Sequence, residues 1–172
     1  SMITQGGKRD GANMAVMSVY HPDIIEFILC KSVEGDIHNF NISVAVDSNF
    51  MKLVETDAQY PLIAPQNNEV ITWLSARYIF SLIIQNAWQN GEPGMVFLDR
   101  INLDNTMINE YGPMIATNPC GEQPLLGNES CNLGSINLAK FFINKDIQFE
   151  DGDNLWKTRI DWDRLQKVTS LA

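Results

Sequence analysis

The run Asn118-Pro119-Cys120-Gly121-Glu122 sets a thiol between an amide and a carboxylate, two groups able to hold a polar substrate. Pro119 fixes one backbone angle and Gly121 frees another, so a loop built this way can present Cys120 at a defined point. In an extended segment residues two apart share a side, which would bring Asn118, Cys120 and Glu122 together. Glu122 could then act as a general base on a substrate within hydrogen-bond reach. Asn118 would add amide donors and an acceptor on the same side. The same five residues also suit a tight turn around a buried, inert cysteine, and the bare pattern leaves both readings open.

A second candidate is the opening run Thr4-Gln5-Gly6-Gly7-Lys8-Arg9-Asp10-Gly11. Its glycines permit unusual backbone angles and close approach of a ligand, and Lys8 and Arg9 carry the charge an anion would want. An ordinary surface turn with two solvated cations fits equally. Of the other cysteines, Cys30 lies in an apolar run and reads as a small core residue, while Cys131 follows the Cys120 segment. No CxxC occurs, and His21 and His38 lie far from the later cysteines in sequence, so no metal site is expected. An odd cysteine count without a secretion signal argues against a disulfide scaffold.

These residues sit in 172 with 45% hydrophobic and 19% charged, enough for one ordinary soluble domain with a core. The formal net charge of −9 argues against a nucleic-acid or anionic-membrane surface, although local cations or helix N-termini can still hold a small phosphate. No apolar run reaches the roughly 18 residues of a membrane span, and a cytoplasmic location is the default.

The elements that must position the candidates alternate between strand and helix. Asn13 to Tyr20 reads as a buried strand. His21-Pro22-Asp23 opens a helix over Ile24 to Cys30. Phe40 to Val46 is a second strand, and Ser48 caps a short helix through Val54. Tyr60 to Pro65 is a short extended excursion. Asn68 to Asn90 carries the strongest helical spacing, through Ile71, Leu74, Tyr78 and Leu82, and stops at Gly91. Gly94 to Leu98 is a further strand, Gly112 to Pro124 is extended, and Leu133 to Phe142 begins a short helix. Asp153 to Trp156 is a loop before a helix from Asp161 to Ala172. Alternation of this kind predicts an α/β fold with parallel pairing.

Longer strings add a resemblance. Asn118-Pro119-Cys120-Gly121-Glu122-Gln123-Pro124-Leu125-Leu126, followed by Glu129-Ser130-Cys131-Asn132-Leu133-Gly134-Ser135-Ile136-Asn137-Leu138, closely resembles the catalytic segment of ribonucleotide reductases. It looks most like the adenosylcobalamin-dependent class II enzymes. Gln5-Gly6-Gly7-Lys8-Arg9-Asp10-Gly11-Ala12-Asn13-Met14 resembles the family's second specificity loop, and Glu92-Pro93-Gly94-Met95-Val96-Phe97-Leu98-Asp99 is similar to a segment between the two. The matches keep the family's order and cover nearly the whole chain.

The resemblance implies a ten-stranded α/β barrel with a finger loop carrying the radical cysteine. Residues 1–172 would be a partial catalytic barrel domain, starting in specificity loop 2 and ending in a helix after the active-site segment. Cys120 would be the cysteine whose thiyl radical abstracts the 3′ hydrogen of the ribose. Glu122 would take the proton of the 3′ hydroxyl, and Asn118 would hydrogen-bond the ribose hydroxyls. Cys131 matches one of two cysteines that deliver reducing equivalents as the 2′ hydroxyl leaves as water. Gln5, Gly6, Gly7, Lys8, Arg9, Gly11 and Ala12 would form the loop that links a deoxynucleotide effector to the substrate base, a role suited to a chain that holds two arrangements at small cost. In class II members the radical starts with homolysis of the cobalt–carbon bond of adenosylcobalamin, while the protein positions thiol and substrate.

Asp10 stands where a basic residue is more common in the family, and Gly127-Asn128 is a short, turn-like step before Glu129. The other redox cysteine, most of the effector site, the substrate-phosphate loop and the terminal cysteine pair served by a thioredoxin-like reductant have no counterpart in these residues. The expectation is therefore a catalytic fragment, inactive alone, that pairs with missing parts or another copy to cover its strand edges. Two other readings stand beside it: a non-catalytic remnant or assembly module, and a fragment of a class I enzyme with a metal- or tyrosyl-radical partner subunit. Pro119 and Gly121 flanking Cys120 favour class II by resemblance.

Overall fold

A computed structural model of the chain describes residues 4–5, 9–32, 40–143 and 160–171. It divides into two compact units, Ser1–Cys131 and Asn132–Ala172. The first begins with two short antiparallel strands, β1 (Thr4–Gln5) and β2 (Arg9–Asp10), in which Gln5 faces Arg9.

Its centre is a three-stranded parallel sheet. β3 (Asn13–Ser18) pairs with β4 (Phe40–Val46), and β4 pairs with β7 (Gly94–Phe97). β4 is the middle strand and is buried from Ile42 to Val46, the near-continuous burial expected of a parallel strand covered on both faces. The parallel α/β pattern read from the sequence is thus present, as is the boundary of β4.

The strands' side-chain alternation gives the sheet two faces. Val44 and Val46, with Met95 and Phe97, face the main core with helices α1 (Ile24–Leu29), α2 (Ser48–Glu55) and α3 (Ala76–Asn90). There Ile24, Ile28, Phe50, Tyr60, Ile79 and Ile83 are almost fully enclosed. Tyr60 meets Phe50 edge-on, ring centroids 5.1 Å apart, and its hydroxyl donates to the Val19 carbonyl at 3.1 Å. That bond satisfies a polar tip in the core, and burial raises the phenol's pKa above its ordinary range.

Several boundaries differ from the sequence reading. The helix expected over Asn68 to Asn90 is two elements: β6 (Val70–Ser75), antiparallel to β5 (Gln59–Ile63), and then α3. Val70-Ile71-Thr72-Trp73 is β-branched and aromatic, so it favours a ladder with Gln59–Ile63 over a helix. Ser75 is the true helix start, its side chain accepting from the Tyr78 amide at 3.2 Å. The stop is as expected: Gly91 closes α3 with φ +81, a left-handed residue that glycine adopts without cost.

At α2 the cap is Asp47 rather than Ser48, because Asp47 accepts from the Phe50 amide at 2.7 Å. The first strand ends at Ser18, and β7 ends at Phe97, where α4 (Leu98–Leu103) begins. Neither α4 nor the single turn α5 (Ile108–Tyr111) was anticipated, since both are too short to show a periodicity. Cys30 lies half-buried at the C-cap of α1 rather than in the core.

The second unit holds a 3₁₀ turn, Leu138–Phe141, in place of a helix from Leu133, together with α6 (Trp162–Thr169). Asp161 caps α6 by accepting from the Arg164 amide. His38 and the loop expected over Asp153 to Trp156 lie outside the described residues. Among the described residues no helix is long and apolar enough to cross a membrane.

Polar groups gather at the C-terminal ends of the three parallel strands. The Tyr20 hydroxyl donates to both Asp47 carboxylate oxygens, at 3.0 and 3.2 Å. The Ser48 amide and hydroxyl donate to Asp99 Oδ2, at 2.8 and 2.6 Å. Burial, with help from the Asp47 charge, pushes Tyr20 up to about 12. The Ser48 hydroxyl bond holds Asp99 below the usual carboxylate range.

Candidate active site

The segment that carries Cys120 is positioned from below by two asparagines. Asn102, on α4, accepts from the Met114 amide at 2.8 Å and donates to the Met114 carbonyl at 2.9 Å. Its side chain thus pairs with one residue's backbone as a strand would. Buried Asn105 accepts from the Met107 amide and donates to the Gly112 carbonyl. From this base a short hairpin rises, with β8 (Ala116–Thr117) antiparallel to β9 (Pro124–Leu125).

The hairpin corrects one sequence expectation. Asn118 to Glu122 is not extended, so the argument that every second residue shares a side does not hold there. The Gly121 amide donates to the Asn118 carbonyl at 2.9 Å, closing a tight turn with Pro119 and Cys120 at its centre. Pro119 supplies the backbone angle a turn needs in its second position, and Gly121 leaves the turn at φ +81. Asn118 is buried and braces the loop: its amide donates to the Gln123 carbonyl at 3.0 Å, and its Oδ1 accepts from the Gln123 amide at 2.9 Å. Cys120 and Glu122 are exposed, which sets aside the alternative of a buried cysteine.

The turn faces the sheet surface that points away from the main core. That face carries Asn41 and Ser43 of β4 and Gly94 and Val96 of β7. Between it and the turn lies a cavity of about 370 Å³, lined in part by Met14, Asn41, Ser43, Glu92, Gly94 and Cys120. Gly94 leaves room there: an added Cβ would stand 2.7 Å from Ser43 Oγ, and that hydroxyl would have to turn away. Asn41 Nδ2 donates to the Pro119 carbonyl at 2.6 Å and ties the turn to β4. Glu92 pairs with Lys31, whose ammonium also donates to the Phe40 carbonyl at 2.6 Å. At Cys30, next to this pair, burial pushes the thiol pKa up.

Asn118, Cys120 and Glu122 therefore share one loop, and only Cys120 of the three lines the cavity. Cys131 is half-buried at the end of the first unit. Gln5 and Arg9 face each other across β1 and β2, Gly11 is half-buried and Ala12 exposed, while Gly6, Gly7 and Lys8 lie outside the described residues. The sequence reading missed Asn41 and Ser43. Their signal was present, since both are polar residues alternating with apolar ones in a strand that ought to be buried.

Four separated stretches of sequence meet at the cavity: Met14, at the end of the opening run; Asn41 to Ser43; Gly91, Glu92 and Gly94 to Val96; and Pro119 to Gly121. Met14, Glu92 with Gly94 to Val96, and Pro119 to Gly121 lie in the segments that carried the resemblance. Comparison with known proteins agrees. The family model for the ribonucleotide reductase barrel domain matches residues 1–172. A vitamin B12-dependent ribonucleoside-diphosphate reductase of Thermoplasma acidophilum is 46% identical over 99% of this chain and 21% of its own length. One of Mycobacterium tuberculosis is 41% identical over 99% of this chain and 23% of its own length. A vitamin B12-dependent ribonucleotide reductase of Streptomyces clavuligerus is 33% identical over 97% of this chain and 19% of its own length. The chain spans about a fifth of the length of these relatives. With its motif segments converging on one thiol-lined cavity and the barrel-domain model matched from first residue to last, this chain belongs to the ribonucleotide reductase barrel-domain family.

Proposed function

We propose that these residues form part of the active site of a ribonucleotide reductase, with Cys120 as the radical-bearing thiol. The observation that carries the reading is the exposed Cys120 on a braced turn, facing a cavity of about 370 Å³. That volume suits a small ligand such as a sugar or nucleoside. The relatives' names favour a ribonucleoside diphosphate as substrate.

In this reading the thiyl state of Cys120 takes the 3′ hydrogen atom of the ribose, leaving a thiol and a carbon radical. Glu122 accepts the proton of the 3′ hydroxyl, and the 2′ hydroxyl leaves as water after protonation. Cys131 and a second cysteine outside these residues supply two electrons and end as a disulfide. Cys120 then returns the hydrogen atom to the 3′ carbon and regains its thiyl state. The resemblance assigns Asn118 to the ribose hydroxyls; in this chain it is buried behind the cavity lining, and its Oδ1 keeps the turn closed. Gln5, Gly6, Gly7, Lys8, Arg9, Gly11 and Ala12 make the loop that couples a deoxynucleotide effector to the base. A thioredoxin-like protein re-reduces the whole enzyme, which works in the cytoplasm.

The relatives' names also support dependence on adenosylcobalamin. When bound, that cofactor would supply the radical, while the residues described here would position the thiol and the substrate.

The test is anaerobic deoxynucleotide formation by the full-length protein with ribonucleoside diphosphates, adenosylcobalamin and dithiothreitol. The parent should turn over, and Cys120→Ala should abolish product while leaving the melting temperature unchanged. Product formation by Cys120→Ala would overturn the assignment. A parent inactive under every nucleotide and reductant combination would favour a non-catalytic assembly module.

A further inference from the structure

The turn that presents Cys120 is closed by its own hydrogen bonds, from Gly121 to Asn118 and between Asn118 and Gln123. Those bonds fix the turn's shape but not its place above the sheet. The bond from Asn41 Nδ2 to the Pro119 carbonyl, at 2.6 Å, does the second job across 78 residues of sequence. The accepting carbonyl belongs to the peptide unit that joins Pro119 to Cys120. A peptide unit is planar, so a donor that holds its oxygen also sets the direction in which the chain enters Cys120. Asn41 is itself held by the ladder, its partner in β3 being Met14. Both residues line the same cavity as Cys120.

We propose that Asn41 is the positioning residue for Cys120: from the middle strand of the parallel sheet it clamps the Pro119–Cys120 peptide and so fixes where the thiol stands over the cavity. The proposal rests on the reading of Cys120 as the reacting thiol. It adds a residue on a different element, which never touches the reacting atoms in order to act. A donor is needed at that point and a long side chain is not, because Asn41 reaches the carbonyl directly from a strand residue facing the turn.

The test compares full-length parent, Asn41→Leu, Asn41→Gln and, as control, Asn90→Leu. The control deletes a bond of the same kind, from Asn90 Nδ2 to the Lys31 carbonyl, in which no residue of the turn takes part. Amide exchange at Gly121 and Gln123 should quicken about tenfold in Asn41→Leu, the scale on which one hydrogen bond acts. Alkylation of Cys120 by iodoacetamide, read by peptide mass spectrometry against Cys30, should change about threefold. Exchange at Val44 and Ala45 should stay as in the parent. Asn41→Gln, which keeps the amide donor, should restore part of both effects, and Asn90→Leu should show neither.

Unchanged turn exchange and Cys120 alkylation in a folded Asn41→Leu would overturn the proposal. If that variant does not fold, the parent still decides. One Asn41 side-chain NH₂ proton must then exchange far more slowly than the other in an assigned nitrogen–proton spectrum, and equal fast exchange of both would sink the idea. Activity separates the two levels of argument. An active Cys120→Ala protein defeats the functional reading, whereas an essential Cys120 with an indifferent Asn41 defeats this one alone.

Discussion

The two ends of the parallel sheet are both polar, and they use polarity in opposite ways. At the C-terminal ends of β3, β4 and β7, Tyr20, Asp47, Ser48 and Asp99 bond to one another and to the start of α2. At the N-terminal ends, Asn41, Ser43 and Gly94 leave a cavity under an exposed thiol. Ligands in parallel α/β folds generally bind beyond the carboxyl ends of the strands. Here the described polar groups at that end bond to one another, and the cavity beside Cys120 lies at the other. The difference shows why polar residues alone do not locate a site. Groups that satisfy one another hold a fold together, while groups that leave room beside an exposed thiol keep that thiol accessible.

If the contrast is right, substitutions at the two ends should separate stability from thiol behaviour. The largest stability loss is expected from Asp47→Ala. It removes the cap on the Phe50 amide and strands the Tyr20 hydroxyl, together about 2–3 kcal/mol by chemical denaturation. Cys120 alkylation, measured well below the transition, should match the parent. A large change in that rate would mean that the two ends are coupled through β4.

Gly121→Ala is the converse. The residue sits at φ +81, and a side chain there costs about 1–2 kcal/mol. Nothing lies within 4 Å of the added carbon, so the cost is backbone strain and not a clash. Stability should fall by less than in Asp47→Ala, and Cys120 reactivity should change more. A Gly121→Ala protein with parental alkylation kinetics would show that the turn's shape does not govern the thiol.

The contrast also explains what was legible in the sequence. β4 was read with its observed ends because Phe40 to Val46, Asn41 and Ser43 apart, is apolar and partly β-branched, so its burial follows from composition. The end of α3 was legible because Gly91 acts locally. Val70 to Ser75 was misread because Ile71 and Leu74 continue the spacing of Tyr78 and Leu82. Only the distant partner Gln59–Ile63, together with the Ser75 cap, turns that stretch into a strand. Cys120 and its neighbours stood out by residue type, and a tight turn was one of the two readings they left open; three bonds among Asn118, Gly121 and Gln123 decide for it over the extended run, while the cysteine is exposed and not buried. Asn41 was passed over since its partner lies 78 residues away. Local punctuation and burial could be read, while pairings set by the tertiary fold could not.

The smallest expected effect concerns Asp99, and its sign follows from the pKa. The Ser48 hydroxyl bond lowers the folded-state value, so the carboxylate contributes stability above its unfolded value of about 3.9. That contribution is lost as pH falls through the lower folded value. Asp99→Asn keeps an oxygen for Ser48 but loses the charge assistance, which at this partly exposed site is worth about 0.5–1 kcal/mol at neutral pH. Thermal melts should therefore separate parent and variant at pH 7 and converge as pH drops below about 4. A gap that persists in acid would mean that Asp99 acts through shape rather than charge. Because the residue stands at the C-terminal end of the sheet's strands, Cys120 alkylation should be unchanged at every pH where both proteins are folded, and a parallel shift in that rate would erase the distinction between the two ends.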